Sequence, residues 1–194
     1  MNRKTAFKDF PEIRTSRLVL RKPTMRDVEW YFEYFSRPEN VWGGGEPGPK
    51  DMKAAREEFK RYLTDLYRKR LGFRWIVTIK GDSRPIGSLG FYKWAPSAPY
   101  QAEMGYDLAK EHWGKGIMTE AMRAAIRFGF EKMKLNRIEV FIMPRNRRSI
   151  RLVKNLGFKR EGLIRQRYYD EFGQFTDDIL FSMLRSDWEG KRKS

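Results

Sequence analysis

The sequence predicts a single α/β domain, a mixed β-sheet covered by helices. Three observations carry that prediction. The chain has 194 residues, the length of one domain. Apolar residues make up 40% of it and aromatic residues 15%, enough to fill a core and too much for a disordered or fibrous chain. Segments with strand and helix patterns alternate, most clearly as strand, helix, strand over residues 101–142. No internal repeat or linker divides the chain, so one domain is expected over residues 1–194.

Residues 1–16 are polar and basic and read as a loosely held lead-in. Residues 17–21 are short and β-prone, and Pro23 ends them. Thr24, with Asp27 three positions on, resembles a capping box opening a helix through Phe35. Residues 41–49 hold four glycines and two prolines, with Trp42 ahead of three of the glycines, a loop composition. Over 51–70, Met52, Ala55, Phe59, Leu63 and Leu66 recur at helical spacing and predict one long helix. Strands follow at 73–79 and 85–94 around the turn Gly81-Asp82, then at 101–108. Residues 117–133 carry two apolar stripes, one through Ile117, Ala121, Ala124, Ala125 and Phe128, the other through Met122, Ile126 and Phe130. Such a helix is buried on two sides. A strand at 138–142, a short helix at 149–156 stopped by Gly157, and a hairpin of 163–169 with 176–184 around Phe172-Gly173 complete the set.

Lys and Arg total 41 and Asp and Glu total 25, a net charge of +16 that attracts polyanions. The absence of cysteine rules out disulfides, thiolate metal sites and a cysteine nucleophile. His112 is the only histidine, which argues against a His-rich zinc site or a Ser-His triad, and no metal is expected. No apolar run reaches the roughly 20 residues of a membrane span, and residues 1–8 lack the apolar core of a signal peptide. A cytoplasmic location without membrane contact is the expectation.

The segment richest in chemistry is 107–121, in the order strand, glycine loop, helix. In Gly114-Lys115-Gly116 the glycines allow a tight turn that aims successive N–H groups at one spot, and the helix start adds unpaired N–H groups and a positive dipole end. That combination suits a pyrophosphate. The plain alternative is an ordinary turn. A dinucleotide fingerprint needs a third glycine where Glu120 or Ala121 stands, and a P-loop needs Ser or Thr after its Lys where Gly116 stands.

Trp113-Gly-Lys-Gly-Ile-Met-Thr-Glu-Ala121 resembles the acetyl-CoA pyrophosphate loop of the GNAT superfamily of N-acetyltransferases. Three further pieces match in order: Thr15-Ser-Arg-Leu-Val-Leu-Arg21, Ala102-Glu-Met-Gly-Tyr106 and Asn146-Arg-Arg-Ser-Ile-Arg-Leu-Val-Lys-Asn-Leu-Gly-Phe158. The closest likeness is to the branch that includes ribosomal-protein alanine N-acetyltransferases. The resemblance implies a GNAT-like fold, a mostly antiparallel mixed sheet with helices on both faces, with a core over 14–187 and basic tails at 1–13 and 188–194. It implies acetyl-CoA as co-substrate, held by Leu108, Trp113, Gly114, Lys115, Gly116, Ile117, Met118, Thr119 and Asn146. Trp113 replaces the Arg or Gln usual in the superfamily, as it often does in this branch. Met118 replaces the usual Gly or Ala and retains its N–H. Val153 occupies the position of the tyrosine acid of many members, whereas Ser149 matches the serine this branch uses to protonate the leaving thiolate.

Without cysteine, direct attack of an amine on the thioester is favoured over a cysteinyl acetyl-enzyme. Strand alternation puts Glu103, Gly105 and Asp107 on one face and Met104, Tyr106 and Leu108 on the other, so Glu103 is the candidate base. Its alternative role is an ion pair with one of the many Arg or Lys side chains. Ser149 has an alternative as the N-cap of its helix. Trp42, Tyr92 and Trp94 either line an acceptor pocket or pack in the core. The dense run of Arg145, Arg147, Arg148, Arg151, Lys154, Lys159 and Arg160 is either a solvated face or the hold on the charged end of CoA. The surplus charge, extending to Arg165 and Arg167, suggests association with a ribosome. Heat adaptation is the competing explanation, since the chain has only five Asn and three Gln. The favoured acceptor is a protein N-terminal α-amine, with a ribosomal protein in view. The alternatives are a small amine such as a polyamine, amino sugar or amino-acid derivative, and a ribosome- or RNA-binding protein without catalysis, for which no nucleic-acid motif is present. A homodimer is among the assemblies the sequence allows.

Overall fold

Alternation along the strands turns one side of each toward a helix, and eight strands among the described residues join into one sheet on that basis. The computed structural model describes residues 7–37, 40, 48–94, 97–169 and 173–190. The strands are β1 (Ile13–Arg14), β2 (Leu18–Arg21), β3 (Phe73–Ile79), β4 (Gly87–Tyr92), β5 (Gln101–Leu108), β6 (Arg137–Ile142), β7 (Lys159–Tyr169) and β8 (Phe175–Leu184). They lie in the order β1-β2-β3-β4-β5-β6-β8-β7. Each neighbouring pair is antiparallel except β5 with β6, which are parallel. The sheet is mixed and mostly antiparallel, as expected.

Helices cover both faces. A 3-10 turn, Met25–Asp27, leads into α1 (Val28–Phe35). Asp27 Oδ2 accepts the Thr24 N–H at 2.8 Å, so the capping-box pair forms, and Arg21 clamps the same carboxylate at 2.6 Å. The single helix expected over 51–70 is instead α2 (Met52–Phe59), a π-helical stretch (Lys60–Thr64) and α3 (Asp65–Arg68). The wider turn delays the apolar stripe by one residue and lets Tyr67 pack against Phe7 and Phe73. Val28, Tyr31, Ala55, Phe59 and Leu63 of this layer bury one face of the sheet at Ile76. On the other face α4 (Ile117–Glu131) packs Met118, Ala121, Met122 and Ala125 into the core that holds Leu89, Phe91, Met104 and Val140. Helix α5 (Arg147–Leu156) follows β6, and α6 (Arg185–Gly190) follows β8.

Several expectations need correction. The lead-in is anchored from Phe7 onward. Phe7 stacks on Phe73 at 4.8 Å between ring centres, Pro11 O accepts the Trp75 indole N–H at 2.5 Å, and β1 pairs with β2. Two aromatics outweigh the polar composition, so 1–13 is not a tail throughout. Trp188 likewise lies against Phe130, inside the expected C-terminal tail. Strand β4 begins at Gly87 rather than at Pro85, which has no N–H to pair. Strand β7 begins at Lys159 rather than 163, its first residues being too charged to read as a strand. Trp94 is a core residue, 1% exposed, its indole N–H bonded to Pro99 O at 2.7 Å. Trp42, Phe172 and most of the 41–49 loop lie outside the described residues.

Candidate active site

The one parallel pair in the sheet is joined over a short stretch. Strands β5 and β6 are in register only over Gln101–Glu103 with Arg137–Glu139. Beyond that β5 runs on to Leu108 paired with β4, and β6 runs on to Ile142 paired with β8. The two strands therefore diverge, and a cleft opens between their C-terminal halves. Open α/β sheets hold ligands outside the carboxyl ends of such strands. The loop after β5 leads into α4 and the loop after β6 leads into α5, so both helix starts lie at the mouth of this cleft.

The start of α4 is built from glycine. Gly114 has φ +74° and Gly116 has φ +71°, left-handed values that glycine takes without strain. No side chain caps this helix start. The first N–H groups, on Ile117, Met118 and Thr119, lack intrahelical acceptors as at any helix start. A Cβ built on Gly114 would meet no heavy atom within 4 Å, and one on Gly116 would meet only Arg17 Nη2, at 3.6 Å. The loop is thus an open, uncapped cradle of donors, which fits a pyrophosphate. Ile117 and Met118 are buried in the core, so the unusual Met118 points away from the cradle. Lys115 is exposed. Trp113 donates its indole N–H to Leu108 O at 2.7 Å, tying the loop to the end of β5. The Arg148 guanidinium lies over the Trp113 ring at 4.5 Å, tying it to α5.

The start of α5 differs. Helix α5 begins at Arg147, with Asn146 as its N-cap: Asn146 Oδ1 accepts the Ser149 N–H at 3.1 Å. Ser149 is therefore not the cap, and its hydroxyl is left for other work. It shares a hydrogen bond with the Tyr106 hydroxyl, across the cleft from β5. Burial raises the Tyr106 pKa, outweighing the Ser149 bond that lowers it. A phenol that stays protonated can donate to Ser149 Oγ, which leaves the serine proton free to point into the cleft.

Past the cover of α1 and α2, the other face of the sheet is polar. Arg74 from β3 pairs with Asp107, which also accepts from Ser88 at 3.1 Å. Tyr34 hydroxyl donates to Leu108 O at 3.3 Å, and burial raises its pKa. Gly105 leaves room for the Tyr92 ring, which a Cβ would approach to 2.7 Å. Glu103 sits on this face as alternation placed it, in an ion pair with Lys93 at 2.7 Å and a longer one with Arg167 at 3.5 Å. Arg167 also holds Asp178 at 2.8 Å and lies over the Phe141 ring. Burial raises the Asp178 carboxyl above its ordinary value, against the pull of Arg167.

The structure thus brings Leu108, Trp113–Thr119, Asn146 and Ser149 together at the cleft mouth, with Glu103 on the polar face of the sheet. It removes Arg167 from the basic surface, because that side chain is only 15% exposed and is held by two carboxylates. Lys159 remains exposed but is paired with Asp187 at 2.6 Å. Tyr106, Arg74 and Arg167 were missed as site residues. The alternation that found Glu103 already placed Tyr106 on the opposite face, whereas long-range partners such as Ser149 leave no local pattern. Among the described residues no group of three or more His, Asp or Glu is placed to hold a metal ion, and no helix is long and apolar enough to cross a membrane.

Known proteins share the sequence pattern and the fold of this chain. A family model described as an acetyltransferase (GNAT) domain matches residues 17–159. The uncharacterized N-acetyltransferase p20 of Bacillus licheniformis is 35% identical over 176 residues, covering 91% of this chain and 97% of that protein. The ribosomal protein uS5-alanine N-acetyltransferase of Escherichia coli is 27% identical over 183 residues, covering 92% and 94%. A spermidine N-acetyltransferase from Vibrio cholerae, solved with CoA and spermine, superimposes with a TM-score of 0.77 at 19% identity, covering 90% of this chain and 99% of that one. The chain belongs to the GNAT family of acetyltransferases and is an N-acetyltransferase.

Proposed function

We propose that the protein transfers acetyl directly from acetyl-CoA to a protein N-terminal α-amine, with a ribosomal protein as the favoured acceptor. The observation that carries the acceptor class is the pairing of the acidic groups on the polar face. Glu103 is held by Lys93 and Arg167, Asp107 by Arg74, Asp178 by Arg167 and Glu139 by Arg137. A polyamine carries several positive charges and needs uncompensated carboxylates. A single α-amine needs only one acceptor for its proton. The 27% identity to the uS5-alanine enzyme, over most of both chains, supports the same choice.

Acetyl-CoA supplies an activated thioester when bound. The N–H groups of Gly114 to Thr119 hold its pyrophosphate. The exposed Arg147, Arg148, Arg151 and Lys154 on α5 stand near its charged end. Ser149 donates its hydroxyl proton to the leaving sulfur, with Tyr106 orienting it. Glu103 takes the amine proton, directly or through water, once Lys93 turns aside; the Lys93 side chain is 69% exposed and free to do so. The demand on the base is modest, because an α-amine of pKa about 8 is already roughly a tenth neutral at pH 7. In this reading the enzyme works in the cytoplasm and approaches a ribosome through its basic surface, the exposed Arg160 and Arg165 included.

The test is CoA release measured against N-terminal peptides of ribosomal proteins, polyamines and aminoglycosides. Peptides should be turned over and spermidine should not. Turnover of spermidine with all peptides inert would reverse the choice and make the small-amine reading correct.

A further inference from the structure

Glu120 is the fourth residue of α4, in the turn whose N–H groups form the proposed pyrophosphate cradle. It is unusually well held for an acidic side chain in a basic protein. Its Oε1 accepts from Thr15 Oγ1 at 2.5 Å, Ser16 Oγ at 2.9 Å and Arg17 N at 2.9 Å, and its Oε2 accepts from Arg17 Nε at 2.6 Å. Burial works against its charge, yet these bonds bring its pKa down to about 2. The carboxylate is therefore ionised at every functional pH. An anion so close to a bound pyrophosphate would repel it unless a fixed cation stood between.

Arg17 is that cation. Its Nε is committed to Glu120, and its Nη1 donates to Lys115 O at 3.0 Å, inside the glycine loop. Two bonds to two different segments fix the plane of the guanidinium. The remaining nitrogen, Nη2, has no partner among the described residues and faces Gly116, 3.6 Å from where a Cβ there would stand. We infer that Arg17 is a side-chain ligand of the CoA pyrophosphate: Glu120 and the Lys115 carbonyl aim its Nη2 across Gly116 at the phosphate held by the loop's N–H groups. This rests on the reading of the 114–119 loop as the pyrophosphate site. It gives Arg17, nearly a hundred residues upstream in sequence, a direct part in binding CoA. Lys115, the other cation of the loop, has an exposed side chain with no tether among the described residues. A guanidinium with two of its donors already fixed is better matched to phosphate oxygens than a free ammonium.

The test is the dissociation constant of CoA, dephospho-CoA and pantetheine, measured by titration calorimetry on the whole protein. Three proteins are compared: wild type, Arg17→Gln and Thr15→Val. Wild type should bind CoA and dephospho-CoA far more tightly than pantetheine. If all three bind alike, the loop reading itself fails, independently of Arg17. Arg17→Gln should weaken CoA and dephospho-CoA about tenfold, the scale of one charge-assisted bond, and leave pantetheine unchanged. Thr15→Val loosens the same Glu120 attachment without removing a charge and should change CoA affinity by less than about twofold, because Glu120 keeps its bonds to Ser16 and Arg17. Three results would overturn the proposal. One is equal loss for CoA and pantetheine, another is loss for CoA but not dephospho-CoA, and the third is equal loss in Thr15→Val and Arg17→Gln.

Discussion

Helices α4 and α5 start at the mouth of the same cleft, and their first turns are made differently. Helix α4 starts on two left-handed glycines with no side-chain cap, leaving its first N–H groups without an intrahelical or side-chain acceptor. Helix α5 starts on Asn146, which takes the Ser149 N–H for itself, and its first turn is exposed arginine. By charge alone α5 looks the better anion site. By hydrogen bonding α4 is the better one, because a converging set of unpaired N–H groups binds phosphate in a fixed place while flexible surface arginines only raise its local concentration. The capped helix instead presents a hydroxyl, Ser149, whose backbone is pinned and whose oxygen meets Tyr106. In the proposed function, this difference divides the work: α4 binds and α5 carries the chemistry.

The sharpest break of that division is at Ser149. Ser149→Ala should lower kcat about 10²-fold, the scale of a lost proton donor, with CoA affinity within about threefold. Tyr106→Phe should lower kcat less, and should add little when Ser149 is already Ala, since its effect passes through the serine. A Ser149→Ala enzyme with full kcat would move the acid elsewhere and end the claim that α5 carries chemistry.

The next effect is on stability. Glu120 fastens the start of α4 to the Thr15–Arg17 segment, and no comparable acidic tie exists in the first turn of α5. Glu120→Gln should cost about 2 kcal/mol at pH 7, as bonds to a charged group do. Its folded pKa of about 2 lies below the ordinary 4.5. The stabilisation is therefore complete above about pH 4.5 and is lost as pH falls toward 2. Melting curves of the two proteins should differ most at neutral pH and converge on acidification. Glu161, also lowered to about 2 by Arg137 and Ser182, titrates in both proteins and cancels from the difference. A gap that stays constant from pH 7 to pH 2.5 would show that the charge of Glu120 is not what fastens the helix.

Gly116→Val tests the cradle itself. At φ +71° a β-branched residue is strained, and its methyl groups would occupy the space in front of the N–H groups. CoA affinity should fall at least about tenfold while kcat at saturating acetyl-CoA stays near that of wild type, the reverse of Ser149→Ala. Unchanged affinity in a folded Gly116→Val protein would take the phosphate away from α4.

The two helix starts were not equally legible in the sequence. Gly114 and Gly116 announce the α4 cradle because glycine in a strand-to-helix loop has a local meaning. The start of α5 was misplaced by two residues, since both Asn and Ser cap helices and only the geometry shows which one does. Alternation along 101–108 put Glu103 and Tyr106 on their correct faces, but their partners lie 64 residues away at Arg167 and 43 away at Ser149. No periodicity reports contacts of that range. The same limit hid the tie from Arg17 to Glu120. The lead-in shows the opposite limit: composition averages over Phe7 and Phe10, and one buried ring with a half-buried one beside it is enough to dock a polar segment.

The smallest effect discriminates between two uses of Asn146. Its Oδ1 is spent on the Ser149 N–H, and its amide nitrogen remains for a second partner. Asn146→Ala should cost about 1 kcal/mol through loss of the cap, a fall in Tm of about 2–4 °C for a chain of this size. Asn146→Asp keeps an acceptor at the same place and should keep the Tm. It replaces the amide donor with a charge, so CoA affinity should fall several-fold if the amide nitrogen is a cofactor contact. Paired Tm and CoA-affinity measurements on both variants separate the roles. An Asn146→Asp protein with wild-type CoA affinity would leave Asn146 as a cap alone. Tighter CoA binding by Asn146→Ala would break the comparison at its root. It would mean that uncapping α5 makes it an anion site, and that the asparagine is there to prevent one.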